Sequence, residues 1–336
     1  MAIGEDLVTQ RTYWHLTDLG RKPTDYDIAS TRLLYYPERG FETAVPLAAW
    51  YRKHQHDSEL VCRDWERFRD PRETTYARYV ELQRTKEAFI DGVLAAAEDI
   101  GRGGERDRLS PEWIATLAGL VPPLRYPVHG LQMVASYIAH MAPSGRIVIA
   151  GLFQAADETR RIERLAYRMR QLQYIDAGFG ADARTRWETD PAWQPLRELI
   201  ERLLVTYDWG EAFVALACVV KPRFDALFTS HLAELARRAG DDVFANVMFS
   251  LGEDCRWHRE WTRALLDVAL ADRPENRAVI EGWIARWAPL AVAAIASLIA
   301  PAGGGFAPGT ATSIEGSCTA WLRSAGLDGG AHGGTP

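Results

Sequence analysis

Two pairs of residues have the spacing of a metal-binding motif found in bundles of long helices. Glu158 precedes Arg161 by three positions, and Glu253 precedes Arg256 by three positions. Di-iron bundles take one Glu from each of two helices and a Glu-x-x-His pair from each of two others, because positions i and i+3 share one helical face. A third carboxylate, Glu211, stands within the apolar run WGEAFVALACVV. The pattern therefore indicates the frame of a di-iron site.

Neither of these pairs carries the histidine that a di-iron site needs. Both positions hold arginine, whose guanidinium stays protonated and has no lone pair to offer a metal. The fourth carboxylate is missing too, since no Asp or Glu occurs between Glu112 and Asp157. The sequence therefore predicts that this chain has no metal, no cofactor and no catalytic residue.

Buried carboxylates need a counter-charge, because an unpaired charge is costly to bury. We therefore expect an ion-paired core where a metal site would be, formed by Glu158, Arg161, Glu211, Glu253 and Arg256. The alternative is that the i, i+3 pairs lie exposed on helix surfaces, where each stabilises by only about 0.2–0.5 kcal/mol.

Other clusters give weaker signals. His54 and His56 lie in a polar stretch, which favours a solvated pair. Cys255 and His258 have helical i, i+3 spacing, but two ligands do not make a zinc site. We find no nucleophile elbow, P-loop or dinucleotide fingerprint. The four cysteines include no C-x-x-C pair, which favours a reducing compartment.

Hydrophobic periodicity predicts an all-α bundle of long helices. The predicted helices cover positions 73–100, 110–120, 127–142, 146–175, 191–205, 208–239, 241–271 and 275–299. Two begin with a capping residue followed by proline, at Ser110 and Asp190. Pro222 is expected to kink the helix that contains it. No alternating strand pattern and no internal repeat is found.

The helical domain, 71–300, is flanked by two regions of different composition. Residues 1–70 form an arm that is rich in aromatic side chains but has no sustained periodicity, so we expect it to be extended. Such an arm either packs on its own domain or wraps a partner, because Tyr and Trp are enriched at interfaces. The tail, 301–336, is Gly-rich, and we expect part of it to be disordered.

Composition limits the classes of function. The chain has 336 residues, 47% of them hydrophobic, and a net charge of −6, so it can bury a large core but lacks the basic surface of a nucleic-acid-binding protein. Its N-terminus does not read as a signal peptide, and the apolar run at 288–300 is shorter than the ~20 residues that span a bilayer. We expect a cytoplasmic protein without nucleic-acid or membrane partners.

Whole segments of the sequence resemble a known family. They are RTYWHL (11–16), KPTDYDIAS (22–30), LQMVASYIAHMAP (131–143), YDWGEAFVALACVVKP (207–222) and NRAVIEGWIARWAPLA (276–291). These segments are similar to the β subunit of the hydroxylase component of bacterial multicomponent monooxygenases, in the toluene and alkene group. The resemblance runs from about position 11 to position 291.

The resemblance implies a ferritin-like fold and a structural role in an assembly of two α, two β and two γ chains. In that family the di-iron site lies on the α subunit, where O2 is activated and one oxygen atom enters a hydrocarbon. An NADH-dependent reductase, a Rieske ferredoxin and an effector protein act on the complex. The resemblance disfavours two alternatives, a catalytic di-iron protein and a helical adaptor unrelated to oxygenation.

An obligate subunit needs apolar surface for its partners. We therefore expect residues 11–70 to lie against another subunit rather than on their own bundle. The predicted interface residues are Tyr13, Trp14, Tyr26, Tyr35, Tyr36, Trp50, Tyr51 and Trp65.

Overall fold

Long helices build the core of the structure. The computed structural model describes residues 13–31, 45–101, 109–300 and 305–328, and within these ranges the chain is helical and has no β-strand. The α-helices are α1 (Asp25–Ser30), α2 (Val45–Tyr51), α3 (Tyr76–Gly101), α4 (Pro111–Met141), α5 (Gly145–Leu172), α6 (Ala183–Thr189), α7 (Gln194–Leu204), α8 (Trp209–Val214), α9 (Lys221–Asp225), α10 (Leu232–Arg238), α11 (Asp242–Asp272), α12 (Asn276–Ile299) and α13 (Thr310–Ser324). The predicted all-α class is confirmed.

Helices α4 and α5 pack closely against each other over much of their length. Ser110 caps α4 by accepting a hydrogen bond from the backbone N–H of Trp113 at 3.1 Å. A Cβ added at Gly151 of α5 would lie 2.9 Å from the Cβ of Ala139 on α4. Only glycine therefore allows the two helices to approach this closely.

The prediction of two separate helices at 110–120 and 127–142 was wrong. One helix, α4, runs through Pro122, Pro123 and Pro127 without a break. Proline removes a backbone hydrogen bond and crowds the preceding turn. All three prolines are buried here, so tertiary packing outweighs their helix-breaking tendency.

The segments α8, α9 and α10 follow one another as a single helix interrupted by two π-helical turns, at Ala215–Val220 and Ala226–His231. These turns flank the short α9, which contains Pro222. A π-turn is one of the ways in which a helix accommodates a residue that disturbs its hydrogen bonding. Two π-turns therefore flank Pro222, and the kink expected at this residue stays a prediction.

Helix α12 lies along the core. Five apolar residues of this helix that recur at the helical period are buried: Ile280, Trp283, Ile284, Trp287 and Ala291. By length and composition α12 could cross a membrane, and 44% of its most apolar window is buried inside the fold. The apolar run of 13 residues counted in the sequence is therefore shorter than the apolar part of this helix. Its buried face packs on α7 and on the π-turn at Ala215–Val220, as expected of a core helix.

The described parts of the N-terminal region fold onto the bundle rather than extending from it. Tyr26 is 3% exposed, and its hydroxyl accepts a hydrogen bond from the backbone N–H of Asp70 at 3.0 Å. The carboxylate of Asp27 is held by Arg21 at 2.8 Å and by Arg69 at 2.5 Å. Arg146 of α5 donates a hydrogen bond to the Thr31 hydroxyl at 2.7 Å and lies 3.7 Å from Asp27. The expectation that 11–70 lies off its own bundle was therefore wrong for this part.

The Gly-rich tail contains a helix that composition did not predict. Helix α13 buries Ile314, Cys318 and Leu322 against the core. Positions 314, 318 and 322 repeat every four residues, so they share one helical face. The end of the predicted tail, 329–336, lies outside the described residues.

Replacing Ile314 with alanine tests the packing of α13. We expect Ile314→Ala to lower the free energy of unfolding by about 2–4 kcal/mol, because it removes buried methyl groups and leaves a cavity. Thr312→Ala, at an exposed position of the same helix, is the matched control and should change it by less than about 0.5 kcal/mol. Equal effects of the two substitutions in urea unfolding would contradict the packing of α13.

Replacing Asp27 tests how the N-terminal region is anchored. We expect Asp27→Asn to speed proteolytic cleavage within 13–31 severalfold, because Arg21 and Arg69 lose their shared carboxylate. Asp25→Asn, at an exposed position of α1, should leave the cleavage rate unchanged. The rates can be compared by limited proteolysis and mass spectrometry, and a wild-type rate for Asp27→Asn would rule out this anchor.

Candidate functional site

Helix α5 carries a row of charged side chains into the core. Asp157, Glu158, Arg160, Arg161 and Arg164 are all less than 9% exposed. Burying so many ionisable groups on one helix is costly unless each is paired. The arrangement of their partners therefore determines what this part of the bundle can do.

A quartet of charges joins α5 to α9. Lys221 Nζ contacts Glu158 Oε1 and lies 3.2 Å from Asp225 Oδ2. Arg161 Nη1 lies 3.3 Å from Glu158 Oε2, and Arg161 Nη2 lies 3.0 Å from Asp225 Oδ1. Two carboxylates and two cations thus neutralise one another, and all four side chains are buried.

Helix α11 reaches the same quartet through a thiol. Cys255 Sγ lies 2.6 Å from Arg161 Nη2. Burial acts against the charge of Arg161, but the adjacent Cys255, Glu158 and Asp225 raise its pKa well above the usual value. Burial alone would raise the pKa of Asp225, yet Lys221 and Arg161 hold it well below its usual range. The two cations therefore keep Asp225 ionised.

A second network begins at the neighbouring carboxyl group of Asp157. It accepts hydrogen bonds from the Tyr79 hydroxyl at 2.8 Å and from Gln83 Nε2 at 2.7 Å, and its Oδ2 lies 2.8 Å from His258 Nε2. Burial and the nearby charge of Asp254 raise the pKa of Asp157. Burial and the charge of Lys221 lower the pKa of His258 to about 3. His258 is therefore a neutral imidazole in the folded chain.

Polar contacts help to attach helix α3 to the bundle. Asp254 of α11 contacts Lys86 of α3, and it lies 2.7 Å from Arg160 Nη1 of α5. Arg160 also contacts Glu87 of α3. Burial would raise the pKa of Asp254, but Lys86 and Arg160 lower it. This network fixes α3 in the groove between α5 and α11.

Of the five residues predicted to form the ion-paired core, only two belong to the buried quartet. Glu158 and Arg161 belong to the quartet, but Glu211 binds Arg286 Nη1 at 2.8 Å at the edge of α8. Glu253 and Arg256 pair with each other on the surface of α11, where their side chains are 34% and 50% exposed. The expectation that these last three residues join the core was wrong.

The reason lies in which face of α11 turns inward. Cys255 and His258 are 1% and 3% exposed, so they form the i, i+3 pair that faces α5. Glu253 lies two positions before Cys255, which places it on a different side of the helix. The pair that faces inward therefore has a histidine, His258, at its second position. The inference that arginine takes both histidine positions was wrong for α11.

Sequence reasoning also missed Lys221 and Asp225. Their i, i+4 spacing places both on one face of the helix, and the apolar residues around them, CVV before and LF after, could have indicated burial. However, a lysine and an aspartate at this spacing are equally typical of an ion pair on a solvent-exposed helix surface. Only the packing of α9 against α5 distinguishes the two cases.

The chemistry of this donor set does not suit a metal. The carboxylates of Glu158 and Asp225 are already neutralised by Lys221 and Arg161. Within the described ranges, no group of three or more His, Cys, Asp and Glu side chains is arranged to hold a metal ion. A metal cation placed here would also be repelled by Lys221 and Arg161.

The predicted interface residues have different environments. Tyr26 is buried within the chain, and Trp65 meets the ring of Trp209 edge-on at 5.1 Å. Tyr51 is hydrogen-bonded to His140 at 2.9 Å, whereas Trp50 is 36% exposed. Tyr13 is half-buried. Tyr35, Tyr36 and the side chain of Trp14 lie outside what the structure describes.

The same helical frame occurs in known oxygenase subunits. A profile of the Methane/Phenol/Alkene Hydroxylase family matches residues 50–273. The chain is 37% identical over 289 residues to the β subunit of the hydroxylase component of the toluene-4-monooxygenase system from Ectopseudomonas mendocina, covering 84% of this chain and 87% of that protein.

Solved structures agree with this relationship. A chain of toluene 4-monooxygenase with toluene bound in its resting active site superposes with a TM-score of 0.81 at 35% identity, covering 87% of this chain and 97% of that one. A chain of phenol hydroxylase from Pseudomonas sp. OX1 has a TM-score of 0.82 at 22% identity, covering 94% of this chain and 95% of that one, which shows the shared fold. The chain therefore belongs to the Methane/Phenol/Alkene Hydroxylase family and is a subunit of a multicomponent monooxygenase.

Proposed function

We propose that this chain is the non-catalytic, structural β subunit of a hydroxylase whose di-iron site lies on a partner α subunit. The observation that carries the proposal is the buried quartet, in which Lys221 and Arg161 neutralise Glu158 and Asp225. A carboxylate that is held by a cation is a poor metal ligand. The chain keeps the helical frame of the family but places protein cations among its carboxylates.

The geometry favours a scaffolding role. The quartet joins α5, α9 and α11 through charge-assisted contacts, and the Asp157 and Asp254 networks add α3. Such a core needs no metal to be complete, so the subunit presents a fixed surface to its partners whether or not iron is loaded. Its effect on turnover is indirect, through the position of the α-subunit helices.

The assembly and chemistry that we propose follow those of the family. Two copies each of α, β and γ chains form the hydroxylase in the cytoplasm. An effector protein, a Rieske ferredoxin and an NADH-dependent reductase act on it, and one oxygen atom of O2 enters the substrate. Similarity to a toluene monooxygenase subunit supports an aromatic hydrocarbon as substrate, and a weaker similarity to an alkene monooxygenase subunit supports an alkene such as isoprene or propene.

The distribution of iron tests the proposal. Iron is measured in the hydroxylase assembled from co-expressed subunits and in this chain expressed alone. We expect iron in the complex but no stoichiometric iron in this chain expressed alone. Hydroxylation of toluene or an alkene should require this chain for assembly, as measured by gel filtration and product formation. Stoichiometric iron in the isolated chain, or full activity of a complex that lacks it, would contradict the proposal.

Removing one charge of the quartet tests its structural role. We expect Glu158→Gln to lower the free energy of unfolding by about 3–5 kcal/mol, because it leaves Lys221 and Arg161 with one carboxylate between them. The matched control is Glu253→Gln, whose partner Arg256 is exposed, and it should cost about 0–1 kcal/mol. Urea unfolding measures both, and equal costs would show that the quartet does not hold the core.

A further inference from the structure

A cleft of about 910 Å³ lies where the described N-terminal residues meet the bundle. Its walls come from positions 16–31, from positions 55–69 and from positions 143–146 at the start of α5. The chain as a whole is acidic, with a net charge of −6. Five arginines nevertheless line this one cleft, which we call the arginine cleft: Arg21, Arg63, Arg67, Arg69 and Arg146.

Asp27 of α1 is the first anchor of these arginines. Its carboxylate lies 2.8 Å from Arg21 and 2.5 Å from Arg69, which also contacts Glu73. Arg146 lies 3.7 Å from the same carboxylate. The side chain of Asp27 is fully buried, whereas those of Arg21 and Arg69 are 44% and 31% exposed. One buried carboxylate therefore faces three guanidinium groups, and two of these reach solvent.

Asp272, the last residue of α11, is the second anchor. Its carboxylate lies 2.9 Å from Arg63 Nε and 3.6 Å from Arg67 Nη1. The side chain of Asp272 is 1% exposed, whereas those of Arg63 and Arg67 are 72% and 52% exposed. A group that enters the cleft from solvent therefore meets the two guanidinium groups before it meets the carboxylate that holds them.

The lining of the cleft also includes acidic side chains, but fewer of them. Asp64 caps the short helix that begins at Trp65, where its Oδ1 accepts a hydrogen bond from the backbone N–H of Glu66 at 3.0 Å. Because low-dielectric walls focus the field of the charges that line them, a cleft with an excess of one sign attracts the opposite sign. Five arginines stand against three acids in the lining: Asp18, Asp64 and Glu66.

The arrangement of the arginines indicates the class of ligand. A guanidinium offers parallel N–H donors that match the two oxygens of a carboxylate. Because Asp27 and Asp272 lie on different helices, they hold two separate groups of arginines, which suit a ligand with several carboxylates along one chain. Apolar residues beside the arginines suit the aliphatic parts of such a chain: Leu16, Leu19, Trp65 and Pro143. These are the features of an acidic polypeptide segment.

We propose that the arginine cleft binds an acidic segment of a partner hydroxylase subunit, with carboxylates of that segment on both groups of arginines. The proposal rests on the proposed function, because it names a surface through which the structural subunit holds its partner. Charge complementarity at such a surface determines the choice of partner and the rate of association. Salt should weaken the contact, since it screens charges that are open to solvent.

The first test is a cross-link in the assembled hydroxylase. A carbodiimide joins a lysine amine to a carboxylate as an amide and takes up the water that is lost. Arg63→Lys/Arg67→Lys keeps both charges, so we expect it to assemble as the wild type does and to form a cross-link to an Asp or Glu of another subunit. The matched control is Arg184→Lys/Arg202→Lys, at exposed positions of α6 and α7, which should give no such cross-link. Mass spectrometry identifies the joined residues.

The second test is charge reversal. We expect Arg63→Glu/Arg67→Glu to raise the apparent Kd for assembly about tenfold or more, because carboxylates then face carboxylates. Arg184→Glu/Arg202→Glu changes the net charge equally, away from the cleft, and should change the Kd by less than about threefold. Assembly is measured by analytical ultracentrifugation at low and at high salt. The loss caused by reversal should shrink at high salt, where the contact is already screened.

The outcomes separate the two proposals. Circular dichroism checks that each variant is folded. If the reversal variant is folded and assembles as tightly as the wild type, or if the lysine variant forms cross-links only within this chain, the cleft proposal is refuted while the structural role stands. The lysine variant keeps both charges, so its cross-links decide the matter even if the reversal variant does not fold. Failure of the wild-type chain to assemble with any hydroxylase subunit would overturn the proposed function itself.

Discussion

Carboxylates sealed inside a helical bundle must be neutralised, and the rest of this structure depends on how that is done. Lys221 and Arg161 supply the opposite charges for Glu158 and Asp225. Because the four groups come from α5 and α9, and Arg161 also contacts Cys255 of α11, their attraction fixes the relative positions of three helices. Exposed to water, the same ion pairs would contribute little to the free energy of unfolding, whereas a buried charge must be paired.

This constraint connects the fold to its family. A ferritin-like bundle can neutralise its inward-facing carboxylates with metal ions or with protein cations, and the two solutions exclude each other at one site. A subunit with the second solution has a core that is complete without iron. In the structural role that we propose, such a core would keep its stability whether or not the partner subunit holds iron.

The sequence predicted the helices better than it predicted the side chains at their centre. The helix predicted at 275–299 was correct, because five apolar residues in it repeat at the helical period and are buried. Pro122 and Pro123 led to an incorrect break in α4, since their cost is offset by packing that no local pattern reveals. Helix α13 was missed because glycine-rich composition masked a four-residue apolar repeat.

The errors at Glu253 and Arg256 have one physical origin, the rotation of α11 about its axis. Glu253–Arg256 and Cys255–His258 have the same spacing, and tertiary packing decides which pair faces α5. Lys221 was missed for a different reason, because burial of a lysine depends on a partner far away in sequence. Anomalous X-ray diffraction at the iron edge, on crystals of the assembled hydroxylase, tests the account most directly. It predicts no iron peak between Glu158 and Asp225 of this chain, and an iron peak there would contradict it.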